Sequence, residues 1–240
     1  FSPYIAVAAL HFFRIFKDIN FLQSIWSSIE LAVNFSVELQ QDNGTIPWSI
    51  DNNSQIENDY LLTGCSSILK SIECGIALSK ILNETENIEK WKKAHLLLSN
   101  AIQDPDGKFD LIKDRKRFSM DWYYPILSGC LKQDEKSYYI NKIFKDFYLD
   151  GIGIKCVIEE PWVTVAETSE FILALMCAGY DDEAKRLLFD VINISDEEGI
   201  PFMGWQYEQN IFWPEEKPSW TAAALMLSAD CVFDYSDASD

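Results

Sequence analysis

The chain has 240 residues, 48% of them apolar, and 38 acidic side chains against 20 Lys and Arg give it a formal net charge of −18. That length and composition suit one substantial core and exclude a disordered chain, while the negative field repels nucleic acid and anionic lipid. No run approaches the roughly 18 consecutive apolar residues of a membrane span, so a soluble, cytoplasmic protein without a membrane or nucleic-acid partner is expected.

The opening FSPYIAVAALHFFRIF lacks an initiating Met, a basic leader and a small-residue cleavage site, and reads as an amphipathic helix. A single domain over 1–240 is expected, trimmed at its N-terminus from something longer. Next, Leu22, Ile25, Ile29, Ala32, Val33 and Val37 make one helical stripe, and Leu61, Cys65, Ile68, Ile72 and Ile76 make another. Further helices are predicted over 86–99, 121–131, 136–147, 165–177, 183–192 and 220–230. No alternating run exceeds a few positions, so the predicted fold class is all-α.

Minor features add little chemistry. KDRKR at 113–117 is short, contains Asp114, and reads as a solvated loop leading into a helix. Of six cysteines, Cys65, Cys74, Cys130, Cys177 and Cys231 fall beside apolar residues in expected helices and Cys156 in a loop. They have neither metal spacing nor a CxxC pair and read as reduced, buried thiols. Sequons at Asn34, Asn43, Asn52, Asn83 and Asn193 are the matches an Asn-rich chain produces by chance, and Asn34 sits inside a helical pattern.

Between helices the chain returns to Gly-containing turns flanked by acids or amides: QDNGTIPW, DPDGKFD, LDGIGIKCV and DEEGIPFMGW. Measured at Gly44, Gly107, Gly153 and Gly199, they are 63, 46 and 46 residues apart, enough for two helices and their loops. Glycine allows positive φ there, and neighbouring Asp or Asn side chains can satisfy backbone donors. Aligning ILKS, ILSG, ILAL and LMLS puts Thr63, Asp121, Glu167 and Trp220 at matching positions, each five residues ahead. Helices after the turns are rich in small and apolar residues, as in AETSEFILALMCAG and SWTAAALMLSAD, whereas IEKWKKAHLLLS and EAKRLLFDVI have one charged side. An inner and an outer set of helical hairpins around a common axis is predicted.

The turn before an apolar helix, in QDNGTIPW, DEEGIPFMGW and PSWTAAALMLSAD, resembles the α/α toroid class, over residues 20–235. That class includes six-hairpin glycosidases and the terpenoid cyclase and protein prenyltransferase group. The resemblance implies an α/α toroid or partial toroid, since a complete one needs more hairpins than are visible here. It implies three different activities. A cyclase carries a DxDD motif, absent here; DYSDASD at the C-terminus reads as a polar tail. A prenyltransferase holds zinc through Asp, Cys and His, but His11 and His95 both lie in helical patterns and read as structural or surface residues. No metal or cofactor is expected.

Glycoside hydrolysis requires two carboxyl groups across the reacting bond, one able to donate a proton, and aromatic walls for sugar faces. Asp121 and Glu167 are the best pair, since the repeat sets both at helix starts. Asp59, just ahead of LLTGCSSILKS, is the third candidate. Trp48, Trp122, Tyr123, Trp162, Trp205, Trp213 and Trp220 cluster at turns and helix starts, where several could line a cavity for a neutral glycan or an apolar small molecule. An acidic ligand would require Lys155, Lys217 or Arg117 to turn inward.

Each of these residues also has a structural reading. TVAE at 164–167 fits a capping box, with Thr164 accepting from the Glu167 amide and Glu167 reaching back to the cap. Asp121 in a first turn would face unpaired amides, which lower a carboxyl pKa against the needs of a proton donor. The indoles can fill gaps between helix ends. Pro125 in FSMDWYYPILSG fits a helix that begins near Tyr124, but falls beyond the first turn and kinks the helix if that helix starts at a Ser119 cap. Three functions remain open at this point: a carbohydrate-active hydrolase, an isoprenoid-handling protein and a helical scaffold without catalysis.

Overall fold

The computed structural model describes residues 2–51, 53, 55–57 and 59–239; the sequon at Asn52 lies outside the described residues. The fold is mostly helical. After a 3-10 turn at Ser2–Tyr4 come α1 (Ile5–Phe16), α2 (Ile19–Glu38), α3 (Leu62–Leu82), α4 (Ile88–Gln103), α5 (Met120–Leu127) and α6 (Gln133–Asp146). They are followed by β1 (Tyr148–Leu149), β2 (Gly153–Ile154), β3 (Trp162–Thr164), α7 (Val165–Cys177), α8 (Asp181–Val191), β4 (Gly204–Gln206), β5 (Ile211–Phe212) and α9 (Ser219–Phe233). The chain divides into two compact units: the first runs to Asp114 and takes in Ser128–Cys130, and the second comprises Arg115–Leu127 and everything from Leu131 onward.

The first unit packs α1, α2 and α4 against α3. Asp18 starts α2 by accepting the Phe21 N–H at 3.0 Å, which satisfies one of the amides that have no partner inside the helix. Leu22, Ile29 and Val33 of α2 are fully buried, as are Leu69, Ile72 and Leu78 of α3 and Trp91, Leu98 and Ile102 of α4. On α3 the expected Ile68 and Ile76 are only half-buried, because the buried face runs through Leu69 and Leu78 instead. Gly75 lets the helices approach closely: a Cβ there would lie 3.2 Å from the Trp91 ring and 3.3 Å from Val33. The Trp91 indole N–H donates to Asn34 at 3.0 Å, so the Asn34 sequon is occupied by packing.

The second unit is built on α7, which packs against α5, α8 and α9. Val165, Ala166, Thr168, Ser169, Phe171, Ile172, Ala174 and Leu175 are buried around much of its circumference, whereas α6 buries only Ile140 and Ile143 and α8 buries one face. These burials follow the compositional contrast between apolar and one-sided helices. Helix α9 departs from it: Thr221, Leu225, Ser228 and Val232 form a single buried stripe against its neighbours, and Trp220, Met226 and Phe233 are exposed.

Two small antiparallel sheets, β1-β2 and β3-β4-β5, modify the all-α expectation. Their strands have two or three residues, too short for an alternating pattern to register. The turn glycines behave as expected, with φ of 91° at Gly44, 70° at Gly107, 151° at Gly153 and 80° at Gly199. Beside them, Asn43 accepts from the Thr45 N–H, and Asp196 from those of Glu198 and Ile200.

Several local expectations are corrected. Helix α5 ends at Leu127 rather than 131, as the chain turns through Gly129 at φ 81°, and so Cys130 lies outside a helix. Cys65 and Cys74 are buried, but Cys177 is exposed and Cys130, Cys156 and Cys231 are only partly covered; no disulfide forms among the described residues. Within those residues no helix is long and apolar enough to cross a membrane, and no cluster of three or more His, Cys, Asp or Glu could hold a metal ion.

Candidate functional site

The starts of α5 and α7 are tied together by residues 155–157. On one side Phe118 bridges Val157, and the Ser119 N–H donates to the Cys156 carbonyl at 3.0 Å. On the other, Lys155 bridges Val163, and the Cys156 N–H donates to the Trp162 carbonyl at 3.2 Å. Next to this segment, Gly153 of β2 lies against α7: the Ile154 N–H donates to the Thr168 hydroxyl at 2.9 Å, and a Cβ on Gly153 would come within 2.8 Å of that hydroxyl oxygen. The backbone bonds of residues 155–157 fix both helix starts independently of their side chains.

Glu167 stands in the first turn of α7, immediately after β3. The capping box expected at TVAE is not formed. Thr164 is the last residue of β3, opposite Gly204 in the ladder, with its backbone held there, and its side chain makes no cap. Its hydroxyl donates instead to Glu167 Oε2, while the Cys156 thiol donates to Oε1 at 3.2 Å. Both oxygens are thus held by side chains rather than by the peptide groups of the helix end. Burial and the nearby Glu167 raise the Cys156 thiol pKa, so the sulfur stays a donor.

Three residues further along the same face of α7 is Glu170, which the sequence reading did not single out. The Tyr123 hydroxyl donates to its Oε2 at 2.6 Å and the Tyr124 hydroxyl to its Oε1 at 2.8 Å. Burial pushes the Glu170 carboxyl up to about 6; the two phenols oppose that rise and the neighbouring Glu167 adds to it. Tyr123, fully buried, is raised well above its ordinary value by burial and by Glu170 and Glu167. The sequence signal was the i, i+3 acid pair in AETSE, but its phenolic partners lie 46 and 47 residues upstream.

Asp121 is buried in the first turn of α5, the helix that carries both tyrosines. That helix starts at Met120, so Pro125 falls beyond its first turn and cannot donate to the Asp121 carbonyl. Thr63, Asp121, Glu167 and Trp220 all lie in the first turns of α3, α5, α7 and α9, the positions the repeat assigned to them. Asp59, also buried, belongs to the first unit, where its carbonyl accepts the Trp48 N–H at 2.8 Å; Asp121 and Glu167 belong to the second.

Five of the aromatics fall into two groups. Trp122 and Tyr123 are buried, and the Trp122 indole N–H donates to the Lys116 carbonyl at 2.9 Å. Trp162, Trp205 and Trp213 gather on or beside the β3-β4-β5 sheet. There Trp162 and Trp213 meet edge to face at 5.4 Å, and the Trp162 indole donates to the Trp213 carbonyl at 2.6 Å. Trp213, Trp220 and, in the first unit, Trp48 are about half exposed. The three cations that could have served an acidic ligand are otherwise engaged: Arg117 pairs with Glu159, Lys217 with Asp196, and Lys155 donates to the Ile158 carbonyl at 2.6 Å.

No protein-family model matches the chain. A protein of Mycolicibacterium hassiacum (strain DSM 44199 / CIP 105218 / JCM 12690 / 3849) named MMP endo-(1,4)-3-O-methyl-alpha-D-mannosidase is 35% identical over 232 residues. The match takes in 97% of this chain and 63% of that protein, so the chain spans under two thirds of the curated relative. Among solved structures, a wild-type glycosidase matches 87% of this chain and 60% of its own with a TM-score of 0.66 at 14% identity. A rhamnosidase from Klebsiella oxytoca with rhamnose bound matches 92% and 44% with a TM-score of 0.63 at 10% identity. At such identities the structural likeness speaks for the fold alone.

Proposed function

We propose that this chain is a large part of a glycoside hydrolase of the α/α toroid class, cleaving within a neutral α-linked glycan of mannose type. The observation that carries this reading is the held carboxylate at the start of α7, the helix that packs against α5. There Glu167 is held by the Thr164 hydroxyl and the Cys156 thiol, with Asp121 buried on the adjoining helix. The 35% identity to an endo-mannosidase across nearly the whole chain supports it independently. Neither the isoprenoid-handling nor the scaffold alternative is favoured by these likenesses.

In the proposed mechanism, Asp121 and Glu167 divide the two carboxyl roles of glycoside hydrolysis: one protonates the leaving oxygen, and the other activates water or attacks the sugar carbon. The Thr164 and Cys156 donors fix the rotamer of Glu167, so that its carboxylate need not be ordered during the reaction. Half-exposed Trp213 and Trp220 offer indole faces to sugar C–H surfaces, and a site lined by acids whose neighbouring cations are already engaged suits an uncharged ligand.

The test is hydrolysis of an α-(1,4)-linked 3-O-methylmannose oligosaccharide by the full chain, with products resolved by chromatography. Asp121→Asn and Glu167→Gln should each abolish turnover while helicity and the melting transition stay close to wild type. If both variants instead unfold, or if they keep full activity, the assignment of this pair fails.

A further inference from the structure

The carboxyl group beside Glu167 has no part in that mechanism, yet two side chains of another helix hold it at both oxygens. Both Glu170 oxygens accept phenolic hydrogens, one from wholly buried Tyr123 at 2.6 Å and one from partly exposed Tyr124 at 2.8 Å. Surface acids are seldom clamped at both oxygens by two aromatic side chains of another helix, and an acid needed only for solubility requires no such partners.

We propose that Glu170 is a positioning residue of the α5/α7 site, which sets through its own protonation whether the Tyr124 hydroxyl donates inward to it or outward to a sugar oxygen. When Glu170 is ionised, both phenols donate to it and Tyr124 presents only lone pairs elsewhere. When the carboxyl takes one proton from solvent, its O–H donates to one phenolic oxygen, and that phenol turns its hydrogen away. Tyr123 is enclosed and keeps its bond, so Tyr124 is the group that turns. No other bond is made or broken, and one proton is gained.

The pushed-up acidity of Glu170, about 6, brings this exchange into the working range of an enzyme near neutral pH. The titratable groups that act on it are Tyr123 and Tyr124 on α5, Glu167 on its own helix, and Cys156 on the segment beside both helix starts. Glu167 favours the protonated form of Glu170 and the phenols favour the ionised one, so each neighbour has a signed effect that substitution can read.

This inference rests on the glycosidase reading, and the experiment separates the two. In the full chain with 13C-labelled glutamate, one carboxyl resonance should titrate with a midpoint near 6 and vanish in Glu170→Gln. Tyr124→Phe removes one donor to the ionised form and should move that midpoint upward. In hydrolysis of the α-(1,4)-linked 3-O-methylmannose oligosaccharide, Glu170→Gln, whose amide N–H takes the place of the protonated carboxyl's O–H, should hold Tyr124 outward at every pH and so erase the limb of the pH profile near 6, whereas Tyr124→Phe should lower kcat about 10-fold with little change in KM. A midpoint indifferent to Tyr124→Phe, or a Glu170→Gln enzyme with an unchanged pH profile, overturns the proposal. If the wild-type chain cleaves no glycan yet the titration and its Tyr124 dependence appear, the glycosidase reading falls and the Glu170–Tyr124 exchange stands.

Discussion

The Cys156 thiol donates to Glu167 Oε1 at 3.2 Å, while the Cys156 carbonyl accepts the Ser119 N–H at 3.0 Å. One residue thereby links the start of α5 to the carboxylate at the start of α7. The thiol is held in its protonated form by burial and by that carboxylate, and only a thiolate reacts readily with an alkylating reagent.

It follows that Cys156 should resist iodoacetamide in the native protein at pH 8, despite being only partly covered. Exposed Cys177 should be alkylated first, with buried Cys65 and Cys74, pushed up to about 12 and about 11, the slowest alongside Cys156. Peptide mapping by mass spectrometry gives the order directly. Early labelling of Cys156 would contradict its bond to Glu167.

Thr164→Val tests the other donor. Valine keeps the branched shape that β3 accommodates and leaves the Thr164 backbone carbonyl free to accept the Thr168 hydroxyl at 2.7 Å, so the change isolates the hydroxyl lost to Glu167. A polar group stripped of its partner in a covered site costs about 1–3 kcal/mol, which urea denaturation should register; Thr164→Ser should recover most of it. Turnover should fall in Thr164→Val even at temperatures where the protein remains folded, because Glu167 loses half of what orients it.

The sequence made the helices legible where an apolar stripe runs for several turns, as in α7, whose bounds agree with the pattern to the residue. It failed where a local event ends a helix early, as at Gly129, and where two-residue strands exist only because a neighbouring segment pairs with them. Repeat alignment put Asp121 and Glu167 in the first turns of helices because helix starts recur in register. Glu170 escaped because its significance lies in Tyr123 and Tyr124, brought to it by the packing of α5 on α7. The capping box at TVAE fits the local spacing, but the Thr164 hydroxyl donates to the Glu167 carboxylate and caps no amide.

Gly153→Ala probes how tightly the site is framed. Gly153 has φ 151°, a conformation strained for any L side chain, and the new Cβ would lie 2.8 Å from both Thr168 Oγ1 and a Val163 methyl. Overpacking of this kind costs about 1–3 kcal/mol, and backbone strain adds to it. The melting temperature should drop by several degrees, and catalytic activity by more than the stability loss explains, because Thr168 and Val163 flank the start of α7. Gly107→Ala, where no atom lies within 4 Å of the new Cβ, provides the contrast: it carries the backbone strain of φ 70° without the clash and leaves the site alone.

The acidity of Glu170 carries a stability consequence whose sign is fixed by linkage. Its folded-state pKa of about 6 lies above the ordinary carboxyl value of 4.5, so the folded protein binds this proton more tightly than the unfolded chain does. The contribution favouring the fold is complete below pH 4.5 and is lost as pH rises through 6. By pH 7.5 the ionised group costs the native state about 2 kcal/mol relative to acid conditions. Glu170→Gln abolishes that titration. Urea denaturation of wild type and variant should therefore show their stability difference shifting by about 2 kcal/mol in favour of the variant between pH 4 and pH 7.5. A difference that stays constant across that range would mean that Glu170 titrates as an ordinary carboxyl group.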